Sequence, residues 1–364
     1  MDALMLPLNW QRVRLGDILS YEQPTKYLVA TTQYLQKGFT PILTAGKTFI
    51  LGYTNDKHGI YTNIPVIIFD DFTTDSKMVN FPFKVKSSAI KILSLRDNNQ
   101  ADLKYIYEKL TLLKHQVTDH KRYWIDEFSN FEILLPPLNE QIAIANILSD
   151  VDRYLCALDA LILKKESVKK ALSFELLSQR KRLKGFNQAW QKVKLGDICE
   201  ITTGSLDANE MVHYGKYRFY TCAKEYYFID KYAFDTEAIL ISGNGAYVGY
   251  VHYYKGKFNA YQRTYVLDNF SEHIMFVKYF LTMFLQSHIQ TNRNEGNTPY
   301  IVMATLKDFE ILLPPLNEQI AIANILSALD NEITSLKNKK RQFENIKKAL
   351  NHDLMSAKIR VLKK

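Results

Sequence analysis

The sequence FEILLPPLNEQIAIANILS occupies residues 131–149 and recurs without a single change at residues 309–327. A second pair of matches lies upstream, where WQRVRLGDI at residues 10–18 parallels WQKVKLGDI at residues 190–198. The stretches between these markers are similar in length but differ strongly in sequence. The chain is therefore an internal duplication, in which a frame is repeated and the residues inside it have diverged.

Each copy of this duplicated segment predicts the start of a long helix. A Pro-Pro pair ends the strand-like residues before it, since proline restricts the preceding residue to extended conformations. The asparagine two residues later is predicted to cap the helix, and the next glutamate would face the positive end of the helix dipole. The helix-start residues are Pro136, Pro137, Asn139, Glu140 and Gln141, with the counterparts Pro314, Pro315, Asn317, Glu318 and Gln319.

Beyond each helix start, apolar residues recur at alternating spacings of four and three, the pattern of a coiled-coil seam. The seam residues are Ile144, Leu148, Val151, Leu155, Leu158, Ile162, Leu172 and Leu176, then Ile322, Leu326, Leu329, Ile333, Leu336, Phe343, Leu350, Leu354 and Val361. Lysines interrupt both seams at matching places, namely Lys165, Lys169, Lys340 and Lys347. We expect helices at residues 139–185 and 317–364 that pair antiparallel within the chain, which would relate its two globular parts by a pseudo-two-fold axis. Pairing with the helices of another chain is the alternative.

The remaining stretches, residues 1–138 and 186–316, predict two globular domains. Runs such as PVIIFDDF (65–72) and AILISG (238–243), bounded by Gly, Asn and Asp, are typical of strands. One helix is expected in each domain, at about residues 102–116 and 272–287. The predicted fold class is thus α+β, with two mixed α/β globular domains separated by two long antiparallel coiled-coil helices.

The composition is that of a folded, water-soluble protein, with 47% hydrophobic and 23% charged residues. No apolar run approaches the roughly 20 residues needed to cross a bilayer, and the amino terminus carries no basic leader, so a cytoplasmic location is expected. The three cysteines form no C-x-x-C pair, and the histidines show no paired ligand spacing. We therefore expect neither a disulfide framework nor a metal site.

The net charge of +9 is concentrated in the two helical segments. Residues 150–185 contain 9 Lys and Arg against 5 Asp and Glu, and residues 328–364 contain 10 against 4. The rest of the chain is close to neutral. If the globular domains bind nucleic acid, they must do so through local groups of side chains rather than through their overall charge.

Three patterns invite a catalytic interpretation. GNGAYVG (243–249) is similar to a phosphate-binding glycine loop, but its spacing and the β-rich residues after it favour a hairpin turn. NTPY (297–300) is similar to a DNA adenine methyltransferase signature but lacks its first proline, and no cofactor loop accompanies it. Asp70 and Asp71 with Lys84 would suit a metal-dependent nuclease, although a base-reading or solvated turn fits better. We expect no catalytic centre and no cofactor in this chain.

The paired WQxVxLGDI starts, the paired LPPLNEQIAIA segments and the helices beyond them resemble the specificity subunit of a type I restriction-modification system, over essentially the whole chain. The resemblance implies a non-catalytic protein in which each globular domain is a target recognition domain that reads one half of a split DNA sequence, while the helices fix the gap. The implied partners are double-stranded DNA, two methyltransferase subunits and restriction subunits. S-adenosylmethionine, ATP and Mg²⁺ would be bound by those partners. A coiled-coil scaffold that binds other proteins is the alternative.

Candidate DNA contacts are side chains whose donors discriminate base edges, together with a tyrosine that can stack. They are Lys47, Lys84 and Lys86 in the first domain, and Lys224, Asn244, Tyr261, Gln262, Arg263, Arg293, Asn294 and Asn297 in the second. The helix-start residues are predicted to dock two copies of one partner, because identical surfaces suit identical partners.

Overall fold

The computed structural model describes residues 9–45, 48–113, 122–292 and 299–361. The elements of the first half are β1 (Gln11–Arg14), α1 (Leu15–Ile18), β2 (Leu19–Glu22), β3 (Thr40–Leu43), β4 (Ile50–Thr54), β5 (Val66–Asp70), β6 (Ser76–Val79), β7 (Lys84–Val85), β8 (Ile90–Leu95), α2 (Leu103–Leu110), α3 (Tyr123–Asp126), β9 (Glu132–Leu135) and α4 (Leu138–Leu177).

The elements of the second half follow the same general order. They are β10 (Gln191–Lys194), β11 (Glu200–Thr203), β12 (Tyr217–Tyr220), β13 (Tyr227–Ile229), β14 (Phe234–Ser242), β15 (Val251–Ala260), β16 (Thr264–Asp268), α5 (Ile274–Asn292), α6 (Met303–Lys307), β17 (Glu310–Leu313) and α7 (Leu316–Met355). None of the helices in the described parts of the chain is both long and apolar enough to cross a membrane.

The long helices α4 and α7 begin one residue earlier than the sequence predicts, so the prediction of an asparagine N-cap is wrong. The carbonyl of Pro137 accepts the amides of Glu140 and Gln141 at 2.9 and 3.0 Å, which makes this proline the capping residue. Asn139 already lies in the first turn, where its side chain accepts the amide of Glu140 at 2.9 Å. The second copy repeats these contacts from Pro315.

Both long helices also end earlier than expected, at Leu177 and Met355. Two residues beyond each end, Gln179 and Ala357 adopt φ of 60°. A left-handed residue at this position reverses the chain and closes a helix. Val361, assigned from sequence to the seam, therefore lies outside the helix.

The chain forms two compact units, one of residues 1–159 with 339–364, the other of residues 160–338. Each unit contains one globular domain, the first part of one long helix and the last part of the other. The fold class predicted from sequence is confirmed in this arrangement, which both units repeat.

Within each unit the two helix segments run antiparallel. In the first unit Asp152 pairs with Lys347 at 2.6 Å and Asp159 with Lys340 at 2.7 Å, so positions rise on one helix as they fall on the other. The second unit shows the same order. There Glu166 pairs with Lys337, and Lys169 pairs with Asp330. The expected pairing of the helices within one chain is confirmed.

The lysines that interrupt the predicted seam are themselves part of the helix pairing. Each of the four forms an ion pair with an acidic residue of the other long helix, and the pairs are Lys165–Glu332, Lys169–Asp330, Lys340–Asp159 and Lys347–Asp152. The seam thus alternates apolar contacts with charge pairs, which restrict the register in which the helices can associate.

The globular domain of the first unit is built on two small sheets and one ribbon. A four-stranded antiparallel sheet has the order β2-β8-β5-β6, a three-stranded sheet has the order β4-β3-β7, and β1 pairs with β9. The central strand β5 is buried along its whole length. Its residues alternate between two hydrophobic clusters, with Ile67 and Phe69 in one and Val66 and Ile68 in the other, as the period of a strand requires.

The globular domain of the second unit contains one six-stranded sheet in the order β11-β16-β14-β15-β12-β13, with β10 and β17 as a separate ribbon. Among the described strands of this sheet, β12 and β15 pair in parallel and the other neighbours pair antiparallel. On one face, Ile239 and Ile241 of β14 join Phe276 of α5 in the main core. On the other face, Leu240 joins Tyr220 and Phe258 in a smaller cluster.

Candidate nucleic-acid interface

Four segments of the second unit converge at one end of its six-stranded sheet, and we name them the loop cluster: residues 221–226, 243–250, 261–263 and 299–301. Backbone hydrogen bonds tie them together. The Gly243 amide donates to the Arg263 carbonyl at 2.8 Å, and the Ile301 amide donates to the Gly243 carbonyl at 2.9 Å. The 243–250 segment connects the antiparallel strands β14 and β15, so the hairpin interpretation of GNGAYVG is confirmed.

The glycines of this hairpin are needed for the close approach of the segments. A Cβ atom at Gly243 would lie 2.3 Å from the carbonyl oxygen of Arg263, a distance that no side chain tolerates. Gly245 has φ of 81°, in the region that favours glycine. The glycines are therefore structural, and they bring the 261–263 turn against the end of β14.

The loop cluster presents cationic and amide side chains to solvent. Lys224, Gln262 and Arg263 are exposed, and Asn244 and Tyr261 are half-buried. The ammonium of Lys224 lies 5.0 Å from the centre of the Tyr247 ring. In the part of the chain that the structure describes, neither Lys224 nor Arg263 has an acidic partner. These side chains provide the donors that phosphates and base edges accept.

Four sequence candidates cannot be placed. Lys47, Arg293, Asn294 and Asn297 lie outside the described residues. The structure therefore brings together five of the eight candidates of the second domain, and those three asparagine and arginine positions remain predictions.

In the first unit the two placed candidates differ sharply. Lys84 is buried and donates to Asp56 and to the carbonyl of His58, both at 2.6 Å. The hydrogen bond from Lys84 lowers the pKa of Asp56 to about 2. Lys84 is therefore a structural lysine that anchors the 56–58 loop, and its assignment as a DNA contact is not supported. Lys86 is half-exposed, with its ammonium 5.9 Å from the Tyr34 ring.

The acidic residues considered for a nuclease also have structural roles. Asp71 is buried, pairs with buried Lys91 at 2.9 Å and accepts the amide of Trp124 at 2.9 Å. Asp70 accepts the amide of Phe72 and the hydroxyl of Thr73 within its own turn. Among the described residues no group of three or more His, Cys, Asp or Glu side chains is arranged to hold a metal ion.

The helix-start glutamates organise a second, duplicated site that is internal. Glu140 is buried and accepts the indole of Trp10 at 3.1 Å and the guanidinium of Arg360 at 2.6 and 3.0 Å. In the second unit, Glu318 accepts Trp190 and Arg182 in the same way. Sequence reasoning missed both arginines. They stand at the offset of the duplicated segment, 178 residues apart, and that spacing could have revealed them.

The helix-start glutamines form hydrogen bonds that connect the long helices to the starts of α2 and α5. Gln141 donates to the carbonyls of Pro136 and Gln100 and accepts the amide of Asp102, the residue that caps α2. Gln319 makes the equivalent contacts with Pro314, Glu272 and His273. Because the Glu and Gln side chains are buried in their own unit, they cannot be the surface on which a partner docks. Their role in starting the helix is the one that the geometry supports.

A further duplicated group joins each domain helix to the long helices. In the first unit Lys104 and Lys347 both contact Asp152, and Lys347 lies 3.3 Å from the buried carboxylate of Glu108. In the second unit the Tyr279 hydroxyl donates to Asp330 at 2.7 Å, beside Lys169. Burial alone would raise the pKa of Asp330, but the hydrogen bonds from Lys169 and Tyr279 outweigh it and lower this pKa.

The duplicated segment presents a largely exposed stripe on the first turns of each long helix. Spaced four residues apart, it consists of Leu138, Ile142 and Asn146, with the counterparts Leu316, Ile320 and Asn324; Leu138 is half-buried and the other five are exposed. We name it the helix stripe. Ile142 and Ile320 are 42% and 39% exposed although their helices bury another apolar face. Nothing within either described unit requires these exposed residues to be identical.

A family model for the type I restriction modification DNA specificity domain matches residues 7–166 and again residues 187–345. The chain belongs to the type I restriction-modification DNA specificity family. The two matches coincide with the two copies of the duplicated frame, so this specificity protein contains the family's domain twice.

The chain is similar to two curated relatives. It is 43% identical over 211 residues to the specificity subunit of the type I restriction enzyme EcoR124I/EcoR124II of Escherichia coli, a match that covers 57% of this chain and about half, 50%, of that relative. It is 26% identical over 415 aligned positions to the MjaVIII specificity subunit of Methanocaldococcus jannaschii, covering 99% of this chain and 95% of the relative.

A solved structure supports the fold. The type I restriction-modification S subunit from M. genitalium matches with a TM-score of 0.70 at 18% identity, over 97% of this chain and 98% of that one. At this identity the comparison concerns architecture alone, and it agrees with the duplicated arrangement of this specificity protein.

Proposed function

We propose that this chain is the DNA specificity subunit of a type I restriction-modification complex. Each globular domain reads one half of a bipartite DNA sequence, and the paired long helices set the spacing between the halves. The observation that carries the proposal is the contrast between an invariant duplicated frame and divergent loops. Two of these loops expose Lys224, Gln262 and Arg263, and among the described residues neither Lys224 nor Arg263 has an acidic partner. The segments that position the two domains can stay the same in both copies, whereas the loops that contact two different DNA sequences must differ.

The chemistry of the loop cluster suits duplex DNA. Arginine and lysine donate to guanine O6 and N7 or to phosphates, and asparagine and glutamine can pair with adenine. Lys224 and Asn244 stand on hairpin loops, and Gln262 and Arg263 stand on the turn between β15 and β16, which backbone hydrogen bonds join to the 243–250 hairpin. Such preorganisation favours specific contacts because little ordering is needed on binding.

The helix stripe is the proposed docking surface for two methyltransferase subunits. It is largely exposed, partly apolar and identical in sequence in both units, which suits two copies of the same partner. The buried helix-start residues would act indirectly, since they fix the position of the first helical turns that display the stripe. Restriction subunits would complete the complex.

We further propose that catalysis resides in those partners. Adenine methylation from S-adenosylmethionine and ATP- and Mg²⁺-dependent cleavage would take place on the methyltransferase and restriction subunits. The Asp70 and Asp71 carboxylates form hydrogen bonds and an ion pair within the fold of this chain.

The proposal is tested by expressing the chain with its methyltransferase partner in a host that lacks adenine methylation, followed by long-read sequencing of the genomic DNA. The expected result is methylated adenine in one asymmetric, two-part sequence, and only when both proteins are present. Methylation that persists at the same sequence without this chain would reject the proposal.

A further inference from the structure

Arg218 of β12 lies between two tyrosine rings on the face of the sheet that carries the smaller hydrophobic cluster. Its guanidinium carbon is 4.2 Å from the centre of the Tyr226 ring and 4.5 Å from the centre of the Tyr254 ring. One of its nitrogens donates to the hydroxyl of Tyr220 at 3.3 Å. Cation–π contacts on this scale hold a guanidinium in one orientation.

Arg218 differs from the two arginines whose structural role is clear. Arg182 and Arg360 each form a two-pronged ion pair with a buried glutamate. Within the described residues Arg218 has no carboxylate partner. Its charge is instead surrounded by aromatic rings, which leave the remaining N–H donors in the plane of the guanidinium without an anionic acceptor.

The surface around Arg218 is aromatic and accessible. Tyr226 and Phe228 are 40% and 39% exposed, and their rings are 5.6 Å apart. Exposed rings at the edge of a cationic site can stack on sugars or bases. A purely structural arginine would not require large aromatic side chains to remain in contact with water.

The strand that carries Arg218 is also connected to the loop cluster by hydrogen bonding and ring contacts. Its strand β12 ends at Tyr220, whose carbonyl accepts the amide of Tyr261 at 2.9 Å. The ring of Tyr220 lies 5.2 Å from that of His252, which in turn lies 4.7 Å from the exposed ring of Tyr250. Buried Tyr220 therefore links the strand that carries Arg218 to the loop cluster, which presents Lys224 and Arg263.

We propose that Arg218 is a preorganised DNA-contacting residue of the second unit, donating in the plane of its guanidinium to a pair of acceptor atoms on the nucleic acid. The inference rests on the proposed function and extends the reading surface beyond the loop cluster. Two sources offer this acceptor chemistry, the O6 and N7 edge of guanine and the oxygens of a backbone phosphate. Binding measured on duplexes of different sequence and at different salt concentrations separates them.

The test compares three variants of the complex of this chain with its methyltransferase. Arg218→Ala removes the donors, Arg218→Lys retains the charge but loses the planar fork, and Lys216→Ala removes an exposed cation two residues away as a control. Binding is measured by fluorescence anisotropy on duplexes with and without the methylated sequence, at two salt concentrations, and methylated sites are mapped by sequencing. Thermal unfolding of each variant shows whether it is folded.

We expect Arg218→Ala and Arg218→Lys to weaken binding to the methylated sequence by about tenfold or more, with Lys216→Ala close to wild type. A guanine contact gives a loss confined to that sequence and relaxed methylation at one G·C position. A phosphate contact gives an equal loss on all duplexes and, for Arg218→Ala, a salt dependence shallower by about one charge.

The inference is overturned if folded Arg218→Ala and Arg218→Lys both bind within about twofold of wild type and methylate an unchanged sequence. If Arg218→Ala fails to fold, the Arg218→Lys result alone decides. Failure of the proposed function looks different, because the wild-type complex itself would then show no sequence-specific methylation.

Discussion

Arg360, which follows the helix α7, donates hydrogen bonds to both carboxylate oxygens of Glu140. Glu140 lies 220 positions earlier, at the start of the first long helix. The distances are 2.6 and 3.0 Å, and the carboxylate is almost fully buried while the arginine is partly exposed. Arg182 and Glu318 repeat the pair in the second unit. In each unit, an arginine that follows the end of one long helix is therefore ion-paired to the glutamate in the first turn of the other.

Arg360→Ala should destabilise the first unit by about 2–4 kcal/mol, because it leaves the buried Glu140 without its counter-charge. Arg182→Ala should cost the second unit a similar amount. Urea unfolding followed by circular dichroism measures both, with Lys348→Ala on the exposed surface of α7 as the control. A loss below about 0.5 kcal/mol in both arginine variants would show that the duplicated pair contributes little to stability.

Lys347→Ala should be clearly more destabilising than Lys340→Ala, although both lysines interrupt the same seam. Lys347 neutralises the buried carboxylate of Glu108 as well as Asp152, whereas Lys340 pairs with the exposed Asp159. We expect a loss of about 1–3 kcal/mol for the first and under about 1 kcal/mol for the second. Equal losses in matched unfolding experiments would refute this difference between the pairs.

Lys109 should make stability depend on pH in the alkaline range. Burial lowers its pKa to about 8, although its ammonium donates to the carbonyl of Met355 at 2.6 Å. The unfolded chain, with an ordinary lysine pKa, binds more protons between about pH 8 and 10, so this group makes the fold more stable as the pH rises through that window. The effect is at most about 1.4 kcal/mol per pH unit.

The measurement is the difference in unfolding free energy between wild type and Lys109→Met at several pH values from 7 to 10. Titrations of tyrosines and cysteines cancel in this difference. We expect the unfolding free energy of wild type to increase relative to that of Lys109→Met as the pH rises. A difference that stays flat would mean that the lysine titrates normally in the folded protein.

Ile142→Asp and Ile320→Asp should each weaken the association of one methyltransferase subunit without unfolding the chain, because both residues are exposed on the helix stripe. The double variant should lose both subunits, since a charge in an apolar interface must be desolvated. Native mass spectrometry of the purified complexes reports the stoichiometry. An exposed position elsewhere on α4, tested as Leu163→Asp, is the matched control. A complete complex formed by the double variant would exclude the stripe as the docking surface.

Much of the frame could be predicted because it depends on local sequence. Proline pairs and seam spacing located both long helices to within one residue at their starts, since these signals act over a few positions. The cap was misassigned because the capping group is a backbone carbonyl, which residue identity does not reveal. The helix ends were missed because the left-handed residues that close them, Gln179 and Ala357, are neither glycine nor asparagine.

The site was harder to predict because it depends on long-range contacts. Lys84 and Lys86 look equivalent in sequence, but only the fold brings Asp56 to the first and buries it. Arg218 carried no motif, since the tyrosines that hold it are 8 and 36 positions away. By contrast, Lys224 was found from sequence because it occupies the place that matches Lys47 in the other half, and Arg263 because it lies where basic and amide residues interleave with aromatic ones.

The central claim is that the two globular domains read separate halves of one DNA sequence, and a domain exchange tests it most directly. Residues 186–308 are replaced by the corresponding segment of another family member, both duplicated segments are kept, and methylated adenines are mapped by long-read sequencing. The account predicts that one half of the methylated sequence changes while the other half is retained. A methylated sequence that is unchanged in both halves would contradict it.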